Sequence, residues 1–261
     1  MMLEGIDLEV RIAIGVYKER EGYDEKIYKA RDKIKDKLNA EIMVIDKGDN
    51  TEKELIEMIE KNRVDAILRG TARASKMIKL LKEKYSPIAR LAVLEAKGRM
   101  FILAPVGVDE GEILSEKIFI AEEAVKLAKK LGMNGKIGVL SGGRKSDIGR
   151  SKKVNDSIIE AEFLANYLKD YGFNATHYEI LIEDAIKDAD IIIAPDGITG
   201  NLIFRTLCYL GNGKEHGAPI AGLPFVIVDT SRAQTVEGYV RAIKLAYKLA
   251  CESIRKNPWW A

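Results

Sequence analysis

The chain has 261 residues, enough for one large or two medium-sized domains, and no apolar run is long enough to cross a membrane. Lys and Arg number 42 against 40 Asp and Glu, so the formal charge of +2 gives no basic excess of the kind that predicts nucleic-acid binding. The start of the chain, MMLEGIDLEVRI, lacks the apolar core of a signal peptide, and we expect a cytoplasmic protein.

Charged residues make up 31% of the chain and are mostly Lys and Glu. This composition is typical of thermophilic proteins, although Lys/Glu-rich helices of any soluble protein give the same pattern. Cys208 and Cys251 lie far apart in apolar helical patterns, which predicts buried, reduced thiols. With two histidines and no cluster of Asp residues, the sequence predicts no metal site.

Short apolar runs alternate with amphipathic stretches from one end of the chain to the other. The strand candidates, in chain order, are EVRIAI, EIMVID, VDAIL, RLAVLEA, MFILAPV, KIGVL, DIIIAP and PFVIVD. Helix candidates lie between them, and two long ones end at Gly132 and Gly172, as C-terminal glycines predict. Alternating strands and helices predict an α/β fold with a mostly parallel sheet.

Two breaks suggest a division into two α/β lobes. The first is AKGR at 96–99, and the second is the glycine-rich stretch GNGKEHGAPIAG at 211–222. We therefore expect a first lobe of residues 1–98 with 224–261, and a second lobe of residues 99–223.

The stretch PDGITGN follows the apolar run that ends at Ala194 and opens a helical pattern. A helix N-terminus carries unpaired N–H donors that bind phosphate or carboxylate. We interpret this turn as an anion site in which the glycines allow close approach; its residues are Asp196, Gly197, Thr199, Gly200 and Asn201. Ordinary helix capping explains the same pattern.

The stretch VLSGGRKSDIGRSKKV, residues 139–154, is a second polar turn after a strand. Ser141 and Gly142 begin the loop, and Arg144 is the first of several basic residues in it. Basic groups beside hydroxyls suit a phosphate-rich ligand, whereas a surface loop with solvated charges is the alternative.

The stretch ILRGTARASK gives a third turn, in which Arg69, Gly70 and Thr71 follow a strand. Arg69 and Arg73 are candidates to clamp an anion, or they form an exposed arginine pair. Strands that run parallel within one lobe bring such turns to one edge of the sheet.

The stretch VIVDTSRAQTVEGYV gives the fourth turn. Ser231 and Arg232 follow the last strand, where a hydroxyl and a guanidinium can reach one ligand. Capping of the last helix by the hydroxyl is the alternative.

The segment ADIIIAPDGITGNLIFRTLCYLG, with GAPIAGLPFVIVDTSRAQTVEGYV after it, resembles the phosphate acetyltransferase and phosphate butyryltransferase family. FILAPVGVDEGEILSEKIFIAEEAVKLAKKLGMNGKIGVLS and VDAILRGTARAS resemble upstream parts of the same family. The resemblance implies a two-domain α/β/α fold like that of isocitrate and isopropylmalate dehydrogenases, with a cleft between the lobes and a homodimer.

The same resemblance implies acyl transfer between coenzyme A and phosphate, with Ser231 and Arg232 as catalytic residues and coenzyme A or another phosphate-bearing molecule as ligand. One position departs from the family. An acidic residue six positions after that arginine acts on the thiol in these enzymes, and here the position is Gly238, with Glu237 beside it.

In length and in amino-acid sequence, the chain more closely resembles a methanogen family called methanogenesis marker protein 4, or mtx subunit X. That resemblance implies a methyltransferase-related protein of methanogenic archaea that works with other methyltransferase subunits. The departure at Gly238 leaves a third alternative, a non-catalytic ligand-binding module on this fold. At the end of the chain, Trp259 and Trp260 are expected to pack on a neighbouring subunit or on their own lobe.

Overall fold

The computed structural model describes residues 9–18 and 24–256, so the two tryptophans of the C-terminal prediction lie outside the described residues. The strands are β1 (Val10–Gly15), β2 (Ala40–Ile45), β3 (Ala66–Leu68), β4 (Ala89–Arg90), β5 (Ala92–Ala96), β6 (Arg99–Ala104), β7 (Ile137–Val139), β8 (Ala175–His177), β9 (Ile191–Ile193), β10 (Lys214–Ala221) and β11 (Val226–Asp229). The α-helices are α1 (Glu25–Ile34), α2 (Thr51–Glu60), α3 (Ala74–Lys82), α4 (Leu114–Leu131), α5 (Lys152–Asp170), α6 (Ile182–Asp188), α7 (Gly197–Arg205) and α8 (Val236–Lys256).

The chain divides into two compact units, Met1–Ser86 with His216–Ala261 and Pro87–Glu215. Residues 87–98 and 216–223 therefore belong to the other unit from the one the sequence predicted. The predicted break at 96–99 is the tight turn between β5 and β6, where Lys97 and Gly98 have φ angles of 51° and 75°. Paired positive φ angles are typical of a two-residue β-hairpin turn, which keeps both strands in one unit.

In the first unit, the strands lie in the order β2, β1, β3, β11 and β10. The pairs β2–β1, β1–β3 and β3–β11 are parallel, and β10 runs antiparallel to β11. Ile12, Ile14 and Ile67 are fully buried, because helices cover both faces of a parallel sheet. Part of the predicted loop 211–222 is therefore strand β10, despite Pro219 within it.

In the second unit, the order is β5, β6, β9, β7 and β8. Only the β5–β6 hairpin among these strands is antiparallel; the pairs β6–β9, β9–β7 and β7–β8 are parallel. The run Ile191–Ile193 is completely buried, as its uninterrupted apolar sequence predicts. The α/β fold with mostly parallel strands is confirmed.

Helix ends in the second unit follow their sequence signals. Ser151 caps α5, since its hydroxyl oxygen accepts a hydrogen bond from the Val154 amide at 3.3 Å. Gly132 ends α4 with a left-handed φ of 83°, and Gly172 follows α5 with a φ of 85°. The prediction of buried thiols is only partly met, because Cys208 and Cys251 are half-buried.

Within residues 9–18 and 24–256, none of the helices is both long enough and apolar enough to span a bilayer.

Candidate functional site

The carboxyl ends of β7 and β9 lie side by side in the second unit. Val139 pairs with Ile193 on one side and with His177 on the other, so β7 is flanked by β9 and β8. The chain leaves β7 through α5 to reach β8, then passes through α6 to β9 on the opposite side of β7. This reversal is a topological switch point, the place where parallel α/β sheets bind ligands.

A pocket of about 440 Å³ opens at this switch point. Its apolar wall consists of Leu140, Val154, Ile180, Ile182, Pro195 and Ile203. Its polar groups belong to Ser141, Gly142, Lys153, Ser157, Asp196 and Thr199. Four of the predicted site residues, from two separate turns, thus line one pocket, namely Ser141, Gly142, Asp196 and Thr199. The volume falls in the range of small-molecule sites.

Ser141 is buried at the end of β7, with 2% of its surface exposed. Its hydroxyl donates to the Gly143 carbonyl at 2.8 Å, so the 2.9 Å contact with His177 is one in which the ring Nε2–H donates to Ser141 Oγ. The neutral tautomer with hydrogen on Nε2 follows, and Nδ1 is buried without a hydrogen-bond partner in the described structure. Burial lowers the pKa of His177, which favours this neutral form.

The Ser141–His177 pair therefore holds the loop in place and does not activate a nucleophile. A general base would have to accept the serine proton, whereas Ser141 gives that proton to a carbonyl. The Ser141 amide also donates to the Glu179 carbonyl at 2.8 Å. These contacts fix the strand end that forms one side of the pocket.

Ser157 reaches the same strand end from α5. Its Oγ accepts a hydrogen bond from the Gly142 amide at 2.8 Å. No acceptor for the Ser157 hydroxyl hydrogen is present in the described part of the chain, so this donor is available to a molecule in the pocket.

Asp196 caps α7, with Oδ1 accepting a hydrogen bond from the Thr199 amide at 2.7 Å. The two glycines of the turn have a different role from the predicted approach to an anion. A Cβ on Gly197 would lie 1.7 Å from the Gly107 carbonyl oxygen, and one on Gly200 would lie 1.9 Å from the Pro105 carbonyl oxygen. The protein's own backbone fills the room that these glycines leave.

Asn201 supports the same packing. Its Nδ2 donates to the Val106 carbonyl at 2.8 Å. The first turn of α7 is thus locked onto residues 105–107, and Asp196 and Thr199 are the α7 turn residues that line the pocket.

Carboxylates neutralise much of the basic loop at 144–153. Asp147 accepts from the Arg144 amide and from the Arg150 side chain, both at 2.8 Å, and the pKa of Asp147 is lowered by these two contacts. Lys145 pairs with Glu162 at 2.7 Å. Lys153 is the lysine of this loop that lines the pocket.

In the first unit, the predicted anion clamp is part of the protein's own structure. Arg69 is buried and donates to the Asp229 carboxylate and to the carbonyls of Ala72 and Thr230. Gly70 has a φ of 63°, and a Cβ there would lie 2.1 Å from the Gly15 carbonyl oxygen.

Thr71 and Arg73 complete this internal network. Thr71 Oγ1 accepts from the Tyr17 amide at 3.0 Å. Arg73 donates to the fully buried Glu52 at 3.0 Å and lies 4.2 Å over the Tyr17 ring. Burial acts to raise the pKa of Glu52, but the hydrogen bonds from Arg73 outweigh it, and the pKa lies below its usual value.

Ser231 and Arg232 are half-buried and follow β11. Ser231 Oγ accepts from the Ala233 amide at 3.3 Å, and the Ser231 carbonyl accepts from the Tyr239 hydroxyl at 3.2 Å. The Gln234 side chain covers Gly238, because a Cβ at that glycine would meet it at 2.0 Å.

Glu237 does not replace the missing acid at position 238. It forms an ion pair with Lys33 of α1, and this contact lowers the pKa of the Glu237 carboxyl. The carboxylate is therefore held as an anion on the α1 side.

Sequence reasoning missed several residues of the site, among them Ser157 and Ile180, which line the pocket, and His177, which contacts Ser141. His177 ends strand β8, whose sequence Ala-Thr-His contains no run of large apolar residues. Ser157 lies inside a helix pattern and carried no turn signal.

No protein-family model matches the chain. A curated protein of Methanosarcina barkeri, named "Putative methyltransferase mtx subunit X", is 44% identical over 233 residues, which cover 88% of this chain and 84% of the relative. The chain belongs to the mtx subunit X family. As a member of that family, it has relatives of the same name in other Methanosarcina species.

The mtx subunit X fold is also that of phosphotransacylases. A branched-chain phosphotransacylase from Enterococcus faecalis superposes with a TM-score of 0.73 at 17% identity, covering 92% of this chain and 99% of that one. The phosphate butyryltransferase of Clostridium acetobutylicum is 22% identical, over 75% of this chain and 71% of its own. At these identities the likeness establishes the fold.

Proposed function

We propose that this mtx subunit X protein is a phosphotransacylase-like transferase that binds a phosphate-bearing ligand of the coenzyme A type. The pocket at the β7–β9 edge carries this proposal, since it unites polar groups from two turns at a ligand-binding position of the fold. The shared fold with phosphotransacylases supports it. The predicted cleft between the lobes stays a prediction.

In the proposed reaction, a phosphate oxygen attacks the carbonyl carbon of an acyl thioester. A C–O bond forms, the C–S bond breaks, and the sulfur leaves with the electron pair as a thiolate that then takes a proton. Arg232 would stabilise the oxyanion and hold the phosphate, and Ser231 would donate to the carbonyl oxygen. Both directions cross the same transition state, so the absence of an acidic residue at position 238 should slow acyl phosphate formation and its reversal alike.

An assay of acyl phosphate formation from acyl thioesters of coenzyme A and phosphate tests this proposal. Arg232→Ala and Ser231→Ala should each lower kcat by about 100-fold, the usual cost of losing a group that stabilises an oxyanion. Absence of product across short, branched and longer acyl chains would overturn it.

Gly238 stands where the resemblance implies an acidic residue, and this departure allows a gain-of-function test. Gly238→Asp together with Gln234→Ala places a carboxylate at position 238 and removes the side chain that would clash with it. We expect the double variant to accelerate attack of the thiol on acyl phosphate, with Gln234→Ala alone as the control. An equal rate in both variants would mean that position 238 does not reach the thiol.

Methyl transfer is the second candidate function, favoured by the name of the 44% identical relative. Under it, the protein would act with other methyltransferase subunits in methanogenic archaea. Co-purification of such subunits from a methanogen extract, together with transfer of a labelled methyl group, would support it. A protein that purifies alone and transfers no label would count against it.

Three further proposals accompany this function: a homodimer, a cytoplasmic location and a thermophilic source. The mass of the full chain in solution tests the first. A monomer mass across a range of protein concentrations would refute it.

A further inference from the structure

The pocket at the switch point has apolar surface on more than one side. Ile180 and Ile182 follow β8, whereas Val154 and Ile203 belong to α5 and α7. Ile180 keeps 47% of its surface exposed. An isoleucine at the mouth of a pocket loses contact with water when an apolar ligand face covers it, which favours binding.

The polar groups of the same pocket argue against a purely apolar occupant. Asp196 Oδ1 is used by the Thr199 amide, which leaves Oδ2 as an acceptor for a hydroxyl or amino group. The Ser157 hydroxyl supplies a donor, and Lys153 supplies a positive charge near the start of α5. A simple acyl chain has no hydrogen-bond donor for the Asp196 carboxylate and no charge for Lys153.

A nucleotide matches both sets of groups. Its ring has two apolar faces, its ring edge and sugar carry amino and hydroxyl donors, and its phosphate is anionic. Apolar walls with a few placed polar groups are the usual composition of a small-molecule site.

We propose that this pocket binds the nucleoside part of a nucleotide-bearing ligand. The ring lies against Ile180 and Ile182, Asp196 accepts from an amino or hydroxyl group, and Lys153 contacts a phosphate. This inference rests on the proposed function for the identity of the whole ligand, and it assigns the nucleoside end to the second unit.

Titration calorimetry of the full chain with AMP, ADP, adenosine and coenzyme A tests the assignment. Asp196→Asn keeps an oxygen for the Thr199 amide but replaces the remaining acceptor with a donor, so the cap is retained. We expect about 10-fold weaker binding of adenosine and AMP, in line with the loss of a hydrogen bond to a charged group. Ile180→Ala should also weaken the binding of adenosine and of AMP.

Ile198→Ala is the matched control, because Ile198 lies on α7, is 60% exposed and does not line the pocket. It should bind like the unmodified protein. Lys153→Gln should reduce the preference for AMP over adenosine and flatten the dependence of AMP binding on salt. The inference is overturned if adenosine and AMP do not bind, or if they bind the Asp196→Asn and Ile180→Ala variants as tightly as they bind the natural protein.

A truncated substrate separates this inference from the proposed function. An acyl pantetheine phosphate lacks the nucleoside but keeps the thioester. If the kcat/KM for this truncated substrate equals that for the acyl coenzyme A, the proposed nucleoside site is wrong and the proposal of acyl transfer stands. If nucleotides bind with the expected variant pattern but no acyl phosphate forms, the site stands and acyl transfer fails.

Discussion

At the residue scale, Arg69 is an arginine that stabilises the folded protein. Arg69 is buried and bonded to Asp229 and to two carbonyls of the first unit. Arg69→Met would leave the Asp229 carboxylate buried without its cation. We expect this change to lower the free energy of unfolding by about 3–5 kcal/mol in urea titrations.

The double variant Arg69→Met with Asp229→Asn is the control for this buried pair. It removes the uncompensated charge but keeps a side-chain oxygen at position 229. That oxygen can still accept the hydrogen bond that the Thr230 amide donates to Asp229 Oδ1 at 2.8 Å. Part of the lost stability should therefore return. A stable Arg69→Met single variant that has lost only ligand binding would instead make Arg69 a ligand residue.

His177 gives a prediction about pH. Its pKa is lowered in the folded state by burial, while the unfolded chain has a pKa of about 6.5. As the pH falls below that value, the unfolded state takes up a proton before the folded state does. The free energy of unfolding should therefore fall with decreasing pH until the lowered folded pKa is reached.

Denaturant unfolding of the natural protein and of His177→Gln between pH 8 and pH 5 measures this effect. Glutamine retains an N–H for Ser141 Oγ but does not titrate. The difference in stability between the two proteins should shift in favour of the variant as the pH decreases. A difference that is constant with pH would show that burial does not perturb His177.

At the element scale, α7 is positioned by contacts that leave no room for side chains. Gly200→Ala would bring a Cβ to 1.9 Å from the Pro105 carbonyl oxygen, and backbone cannot move aside as a flexible side chain can. We expect a loss of at least 1–3 kcal/mol, the usual cost of overpacking. Thermal unfolding without ligand measures it, since the clash does not depend on a bound anion.

Ile198→Ala on the same helix is the control for this packing, because its exposed side chain should contribute less than about 0.5 kcal/mol. Wild-type stability in Gly200→Ala, with ligand binding lost, would restore the interpretation of Gly200 as part of an anion site.

The elements that the sequence predicted are those with strong apolar patterns. The strands β7, β9 and β11 match runs of Ile and Val, and their carboxyl ends carry the predicted turns. The missed elements lack such a pattern: β8 has the sequence Ala-Thr-His, and β10 contains Gly217 and Pro219. Periodicity also cannot indicate which strands are neighbours, so the approach of His177 to Ser141 was not predictable.

The candidate site was predicted in part for a similar reason. Polar residues directly after strands, such as Ser141 and Asp196, are recognisable because chain order places them at a sheet edge. The residues of the apolar wall cannot be recognised from the sequence, because Ile180 and Ile203 have the pattern of core residues. Only the structure shows that they line a pocket. Glycines are ambiguous as well, because close approach to a ligand and close approach to backbone require the same residue.

At the scale of the whole molecule, many surface charges form ion pairs within single helices. Lys29 with Glu25 on α1 and Lys187 with Asp184 on α6 are separated by 2.8 Å and are largely exposed. Each exposed pair contributes about 0–1 kcal/mol, and salt screens it. Such pairs contribute more to stability at high temperature, because the free-energy cost of desolvating charges falls as the temperature rises.

Unfolding in about 0.1 M and about 1 M NaCl tests this balance, because the screening length falls from about 10 Å to about 3 Å. At 25 °C we expect the free energy of unfolding to change by less than about 1 kcal/mol, since exposed pairs contribute little at that temperature. Near the Tm the loss in high salt should be larger, and Lys187→Gln alone should change stability by less than about 0.5 kcal/mol. A loss of several kcal/mol at 25 °C would show instead that exposed charges dominate stability at ordinary temperature. A salt effect that does not grow with temperature would remove the physical basis for a thermophilic origin.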